Sequence, residues 1–409
     1  MRRMGATALA VVNWCLWAYA GAAWSEDLTL DRALALARER APAVVAAQFA
    51  IGEARGRLAG AAVLLRDNPV VDGAAGPRLK GKGAESLEAR LGFSQALELG
   101  GQRGARVDAA EADVARAGAG AENALRGALR EVAGAFFRAL HATQSLALAQ
   151  RAEAMAVEIV RIAERRLAAG DVARLEVNLA RAAHARAVAV VLEAEARRDD
   201  ALGEVRVLLG IGAADPLSVY GALAAPDLPS LTALQTGAAD RPDLRALDAE
   251  IRAAEADARL GRAEQWPDLS VGAEYERDEN DNIALGRLGV TLPVFARGQG
   301  RQAESLARAS RLRAELAAAR RATAIELSTA LDVYRRRVAA AEALARTAVP
   351  LQDDNEAAAR RAYDVGELGL VDLLAVRREV LETRQDSLDR SFEAAVAGIE
   401  LQYRAGALQ

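Results

Sequence analysis

Cysteine is almost absent from this 409-residue chain, and the single one, Cys15, sits in an apolar run at the N-terminus. No disulfide framework can support the fold. Histidine is nearly as scarce, with only His141 and His184. Folding a helical hairpin about Gly170 leaves them ~22 Å apart along its axis. They cannot share an ion within one chain, and no metal site or other cofactor is expected. Aromatic residues make up 4% of the chain, and alanine is the largest single part of the hydrophobic 52%. That balance suits long helices packed closely side by side, more than one large globular core. A formal charge of −4 gives no reason to expect nucleic-acid binding. Proline is missing between Lys80 and Asp215. After residue 25 there is no apolar run long enough to cross a bilayer as a helix. Catalytic groupings are missing too. Ser145 has no base and orienting acid patterned around it, and the turn at 297–301 lacks the Lys-Ser/Thr of a phosphate loop. The chain does not read as an enzyme.

The first 25 residues do carry a message. Arg2 and Arg3 precede an apolar stretch from Ala6 to Ala23 that ends in small residues, which reads as a secretory signal cleaved after Ala20, Ala23 or Ser25. Loss of those two arginines takes the net charge from −4 to −6. An exported chain without a membrane-spanning helix is either soluble or part of a β-barrel.

The stretch around which the rest is organised is PDLSVGAEYERDENDNIALGRLGVTLPV, Pro267 to Val294. From Asp268 to Glu276 the polarity alternates strictly. Leu269, Val271, Ala273 and Tyr275 leave one face, while Asp268, Ser270, Gly272, Glu274 and Glu276 leave the other. After a DENDN turn, Ala284, Leu288, Val290, Leu292 and Val294 alternate against Gly286, Arg287, Gly289 and Thr291. This predicts a β-hairpin with strands at about 267–277 and 283–295. A second hairpin is predicted upstream. Its clear strand, about 86–97, sets Leu87, Ala89, Leu91 and Phe93 against Glu88, Arg90, Gly92 and Ser94. Its partner, Val70 to Gly76 within about 69–77, alternates too weakly to assign a face, and Pro77 to Ala84 reads as the turn.

Helical pattern fills the remainder. Thr29 caps a short helix to Arg40, and Pro42 opens a second one to about Leu65. From Ala105 to about Leu167 runs one helix on the order of 90 Å long. A break at Ala168–Asp171, with Gly170 as its cap, leads to a return helix ending near Leu209. Residues 213–241, with Pro216, Pro226 and Pro229, read as a linker. The plan then repeats. Pro242 answers Pro42 at an offset of 200, Leu288 answers Leu91 at 197, and Gly366 answers Gly170 at 196. The second long helix, from about Gln302, ends at Asp364 and should kink at Pro350, which has Ala154 as counterpart. A return helix from Leu370 to about Arg404 closes the chain. The organisation is a signal (1–25), a first repeat (26–212), a linker (213–241) and a second repeat (242–409).

Two strands per repeat give four per chain. Four strands with one apolar face cannot close a barrel, for which about eight is the minimum. In a membrane every strand edge must be paired, so other copies must complete the sheet. The row Leu269, Val271, Tyr275, Leu288, Val290, Leu91 and Phe93 would then face lipid. Asp268, Glu274, Glu276, Arg287, Glu88 and Arg90 would face a watery lumen.

This helix–strand–strand–helix–helix plan, used twice, resembles the TolC-type outer-membrane efflux proteins. The segment SQALELGGQRGAR, Ser94 to Arg106, is most similar to the cobalt-zinc-cadmium branch of that family. The resemblance covers nearly all of the mature chain. It implies a mainly α fold with a β membrane part. Three copies would form a twelve-stranded barrel in the outer membrane of a Gram-negative bacterium, continued by a tunnel of helical hairpins through the periplasm. It further implies a periplasmic adaptor and an inner-membrane pump of RND type as partners, and export of heavy-metal cations or small toxic molecules. The two helix–helix turns would meet the adaptor, through Gly170, Asp171, Gly366 and Glu367. The family's gate motif aligns with Val371–Val376, placing Asp372 at its first aspartate and Ala375 at its second. Tyr363 matches the gate tyrosine, whereas Leu368 stands where the family has an arginine. A ring of Asp372, joined by Glu176, would concentrate cations, or each acid is an ordinary solvated helix-end charge. A reading from another class is an exported, purely helical adaptor or structural protein, which would leave both apolar-faced hairpins without a use.

Overall fold

Runs of alanine, leucine and arginine with helical spacing fold as the sequence predicts, into long helices, and the alternating segments form one four-stranded sheet. The computed structural model describes residues 28–79, 85–278 and 281–408. The N-terminal signal and the turn residues 80–84 and 279–280 lie outside the described residues. Helix α1 (Leu30–Arg40) starts where Thr29 Oγ1 accepts the Arg32 N–H at 3.4 Å. Helix α2 (Pro42–Ala61) stops short of the expected Leu65. The Arg106 and Arg103 guanidinium groups donate to the Ala61 and Ala62 carbonyls at 3.2 and 2.9 Å, satisfying acceptors a helix end leaves open. Helix α3 (Gln102–Ala169) is unbroken for 68 residues, and α4 (Arg174–Leu209) returns from it.

The segment expected as a linker is more structured than its prolines suggest. Val219 forms a parallel bridge with Leu28, and Leu231–Ala239 is a helix, α5, whose Ser230 Oγ accepts the Ala233 N–H. Leu234 and Ala238 pack on Leu327, Ala330, Leu401 and Ala405. Two buried positions on a nine-residue helix, preceded by Pro226 and Pro229, carry too little periodicity to be seen in sequence.

Helix α6 (Pro242–Ala263) precedes the second pair of strands, and α7 (Gln299–Ala343) follows it. The kink expected at Pro350 takes the form of a π turn, Leu344–Ala348, in which the Val349 N–H reaches back to the Leu344 carbonyl. Proline has no N–H to give the carbonyl four residues earlier and its ring crowds that oxygen, so the turn before it widens. Helices α8 (Val349–Asp364) and α9 (Leu370–Arg404) form the last hairpin.

The strands are β1 (Val70–Leu79), β2 (Glu85–Glu98), β3 (Asp268–Asp278) and β4 (Asp281–Thr291), in one antiparallel sheet of order β1-β2-β3-β4. β1 runs past Gly76, the expected end, with Pro77 opposite Leu87. Proline is tolerated there because β1 is an edge of this sheet. β4 stops at Thr291, before the expected end near 295. Pro293 cannot continue the ladder, and the Val294 N–H instead bonds the Leu292 carbonyl at 2.8 Å, so Leu292 and Val294 leave the apolar row.

The chain divides into two compact units, each built from both halves of the sequence. One takes residues 131–226 and 336–396 with the segment ending at Ala37, and it contains both helix–helix turns. Its main core is Ile159, Ala163, Val177, Ala180, Ala359, Tyr363, Leu370 and Leu373. The other takes Arg38–Arg130, Asp227–Arg335 and Ala397–Gln409, and it contains the sheet. In this second unit an ionic junction around the buried Arg126 and Arg241 ties α3, α6, α7 and α9 together. Arg126 donates to Asp243 at 2.8 Å and to the Tyr403 carbonyl at 3.1 Å, and Arg241 bonds Asp243 at 2.7 Å and Glu326 at 2.9 Å.

Candidate functional site: a two-faced sheet and two helix–helix turns

Residues directly opposite in an antiparallel ladder share a face, so the register assigns both surfaces of the sheet. Phe93 lies opposite Ala273 and Val71, Leu91 opposite Tyr275 and Gly73, Val271 opposite Leu288 and Gln95, and Leu269 opposite Val290 and Leu97. All seven residues expected on the apolar face therefore share it. They are solvent-exposed in the single chain apart from half-buried Leu269, and Leu288 is exposed to 78%. Gly286 also belongs to this face, opposite Ala273, and not to the Arg287 side on which the sequence reading set it.

The six residues expected on the polar face likewise fall together. Glu274 is their centre, only 8% exposed. Its carboxylate accepts an ion pair from Arg90 at 2.8 Å and another from Arg287 at 2.6 Å, while Arg90 also reaches Glu276 at 3.2 Å. One carboxylate held by two guanidinium groups from the flanking strands stitches β2, β3 and β4 across that face. The structure also gives the weak first strand a face. Asp72 pairs with Gly92, whose absent Cβ would come 2.7 Å from Asp72 Oδ1, so Asp72 joins the charged side. Ile283 and Leu285 lie on this side too, opposite Glu276 and Glu274. The apolar row running from Ala284 leaves both unassigned, and strict alternation along it puts them on the charged side.

At the other site, both turns are built alike. Gly170 (φ 84°) and Gly366 (φ 82°) occupy the left-handed region that favours glycine. The Asp171 N–H bonds the Arg166 carbonyl at 2.9 Å, and the Glu367 N–H bonds the Ala362 carbonyl at 2.9 Å, the same wide closure at each helix end. Gly170, Asp171, Gly366 and Glu367 are all exposed. Return helices begin with exposed Leu175 and Val371, which are repeat counterparts.

The expected gate residues split. Tyr363 is 1% exposed, and its hydroxyl donates to Glu176 Oε1 at 3.1 Å. Arg166 approaches the same oxygen at 3.7 Å and lies 5.2 Å from the Tyr363 ring centre. Burial, then the bond to Glu176, raises the Tyr363 hydroxyl above the ordinary tyrosine value, with Arg166 opposing. The tyrosine therefore stays a neutral donor. Asp372 is exposed in the first turn of α9 and is not part of this cluster. The offset of 196 makes Glu176 and Asp372 counterparts, so their difference has a local cause. Tyr363 corresponds to Leu167, which has no hydroxyl, and Arg166 corresponds to Ala362. The first repeat's acid is engaged by groups the second repeat's acid does not meet. Glu176 is thus not the open carboxylate that a ring shared with Asp372 would require. Arg166 escaped the sequence reading, and an arginine four residues before the turn's αL residue was its only signal.

His141 Nε2 lies 2.7 Å from Asp389, and His184 lies 3.9 Å from Glu153. Among the described residues no cluster of three or more histidine, cysteine or acidic groups could hold a metal ion, and no helix is long and apolar enough to cross a membrane.

A four-stranded sheet with one apolar and one charged face, joined to duplicated long helical hairpins, defines a class of outer-membrane channel subunits. A sequence model of the outer membrane efflux protein family matches residues 33–211 and 233–407. The chain belongs to that family, whose members are outer-membrane channels and not enzymes. It is 30% identical over 292 residues to the cobalt-zinc-cadmium resistance protein CzcC of Cupriavidus metallidurans, covering 70% of each chain. It is 28% identical over 245 residues to the nickel-cobalt-cadmium resistance protein NccC of Alcaligenes xylosoxydans, covering 58% of this chain and 56% of that one. Among solved structures, CusC, described for its transmembrane channel formation, superposes with a TM-score of 0.75 at 18% identity over 95% of both chains.

Proposed function

We propose that three copies of this chain form one outer-membrane conduit that exports heavy-metal cations, working with a periplasmic adaptor and an inner-membrane pump. The observation that carries the reading is the sheet itself. Its apolar face is exposed, its opposite face carries a network of charges, and β1 and β4 have open edges. Lipid on the first side, water on the second and neighbouring copies at the edges satisfy all three. The metal cargo follows the names of CzcC and NccC, and the adaptor would meet Gly170, Asp171, Gly366 and Glu367. Cells lacking the gene should accumulate zinc, cobalt or cadmium, and restoring it should return accumulation to the starting level. Unchanged metal content alongside raised retention of an organic toxicant would remove the metal assignment while leaving the conduit.

Tyr363, Glu176 and Arg166 are proposed as the latch between the two hairpins at the turns, with Asp372 exposed beside it. Tyr363→Phe deletes one hydrogen bond, worth about 1 kcal/mol, and should raise the open fraction of single channels in planar bilayers by roughly fivefold. Asp372→Asn should leave that fraction unchanged, since Asp372 takes no part in the latch; equal effects would contradict the assignment.

A further inference from the structure

The two hairpins are held differently about two turns from their tips. In the first, Arg181 on α4 reaches across to Glu164 on α3, with Nη2 at 2.6 Å and Nε at 3.2 Å from Glu164 Oε1. Moving both residues by the 196-residue offset gives Arg377 on α9 and position 360 on α8. Position 360 is arginine. Where the first repeat has a cation facing an anion, the second has two cations.

Arg377 is also the more deeply placed of the two pair-making arginines, with its side chain 12% exposed against 63% for Arg181. Its Nη1 donates to the Met155 carbonyl at 3.3 Å, but its buried Nε has no hydrogen-bond partner. The nearest carboxylate, Glu356, stands 3.8 Å from that nitrogen and is drawn also towards Arg384 at 3.7 Å. Burial pushes the Arg377 guanidinium below its ordinary value, Glu356 opposes this, and Arg360 pushes it lower still. A buried guanidinium with an open donor normally has an acceptor, because an unsatisfied charged donor is costly.

Space for that acceptor is present. A cavity of about 340 Å³ opens between α3, α8 and α9, with Arg377 inside and Arg151 and Arg360 exposed at its rim. Two acids also line it: Glu158, already paired with Arg161 at 3.1 Å, and exposed Asp364, whose charge opposes the effect of burial on Arg377 without bonding it, so three arginines face two carboxylates. Guanidinium forks match a carboxylate's two oxygens better than any other common group.

We infer that the cavity at Arg377, Arg360 and Arg151 is a carboxylate-binding site, taking from a ligand the group that Glu164 supplies within the chain in the first repeat. The ligand is either a free small carboxylate or an acidic side chain of a protein, and one experiment separates them. Acetate, succinate and a ten-residue glutamate peptide are titrated into the detergent-solubilised full-length chain, replacing chloride at constant ionic strength. At least one should bind saturably. Binding of acetate or succinate identifies a free carboxylate, and binding of the peptide alone identifies a protein side chain. Arg377→Gln should weaken that binding at least tenfold. Arg360→Glu restores the first repeat's arrangement, so it should also abolish binding while raising the unfolding temperature of the ligand-free protein. The inference is overturned if none of the three binds the unaltered chain, or if Arg360→Glu binds as well as its parent.

Discussion

Val271→Arg is expected to abolish assembly in the outer membrane, leaving chain that runs as a monomer and is degraded. Val271 lies on the apolar face of β3, with Leu288 opposite on β4, Gln95 opposite on β2, and Leu269 and Ala273 two positions away along its own strand. A cation placed on a lipid-facing position near mid-bilayer costs about 2–4 kcal/mol, and the cost recurs in every copy. Ser270→Arg, one residue away, is the control. Ser270 lies on the charged face opposite Gly289, which has no side chain to crowd an arginine. Heat-sensitive oligomer should persist in that variant. Separating the variants by unheated electrophoresis of outer membranes checks the prediction, and identical behaviour would show that the faces are reversed or that neither meets lipid.

Arg126→Ala is expected to lower stability by about 3–5 kcal/mol, the scale for removing one partner of a buried ion pair. Arg126 is 3% exposed, its guanidinium lies 3.9 Å above the Tyr403 ring, and it bonds Asp243 and the Tyr403 carbonyl. Removing it takes a cation, a cap on α9's last turn and aromatic packing from one place. Thermal unfolding followed by loss of helical circular dichroism measures the effect. The same junction predicts an acid dependence. Burial alone would raise the Asp243 carboxyl, but bonds and charge from Arg241 and Arg126 outweigh it and hold the carboxyl below its usual value. A carboxyl lowered by folding adds stability above its unfolded value and loses it as the pH falls through the folded one. Unfolding temperature should therefore drop on acidification below the ordinary carboxylate range, and that dependence should shrink in Arg126→Ala.

Long-range organisation was legible because it is periodic. Strict alternation in β3 and the helical pattern of α3 survive any packing environment, and the repeated glycines at 170 and 366 marked two equivalent turns. What remained hidden depended on contacts between distant residues. Helix α2 ends early because Arg103 and Arg106 take its last carbonyls, which no local pattern announces. β1 found its face only through Asp72 lying over Gly92, a pairing set by register and not by β1's own composition. At the turns, alignment placed Glu176 and Asp372 in one role, yet Tyr363 and Arg166 give only Glu176 partners. The resemblance carried the architecture well and the individual side chains less well, because a gate depends on a few exchanges that leave the fold intact. Residues 231–239 make the same point for packing: a short apolar helix becomes visible only when Leu327 and Leu401 are seen beneath it.

The conduit reading depends on four strands being completed by other copies. The most direct measurement is the native mass of the protein extracted from outer membranes in mild detergent. Three chains in one particle, each contributing β1 and β4 to its neighbours, is the predicted result. Recovery as a single chain, or in the soluble periplasmic fraction without detergent, would contradict it.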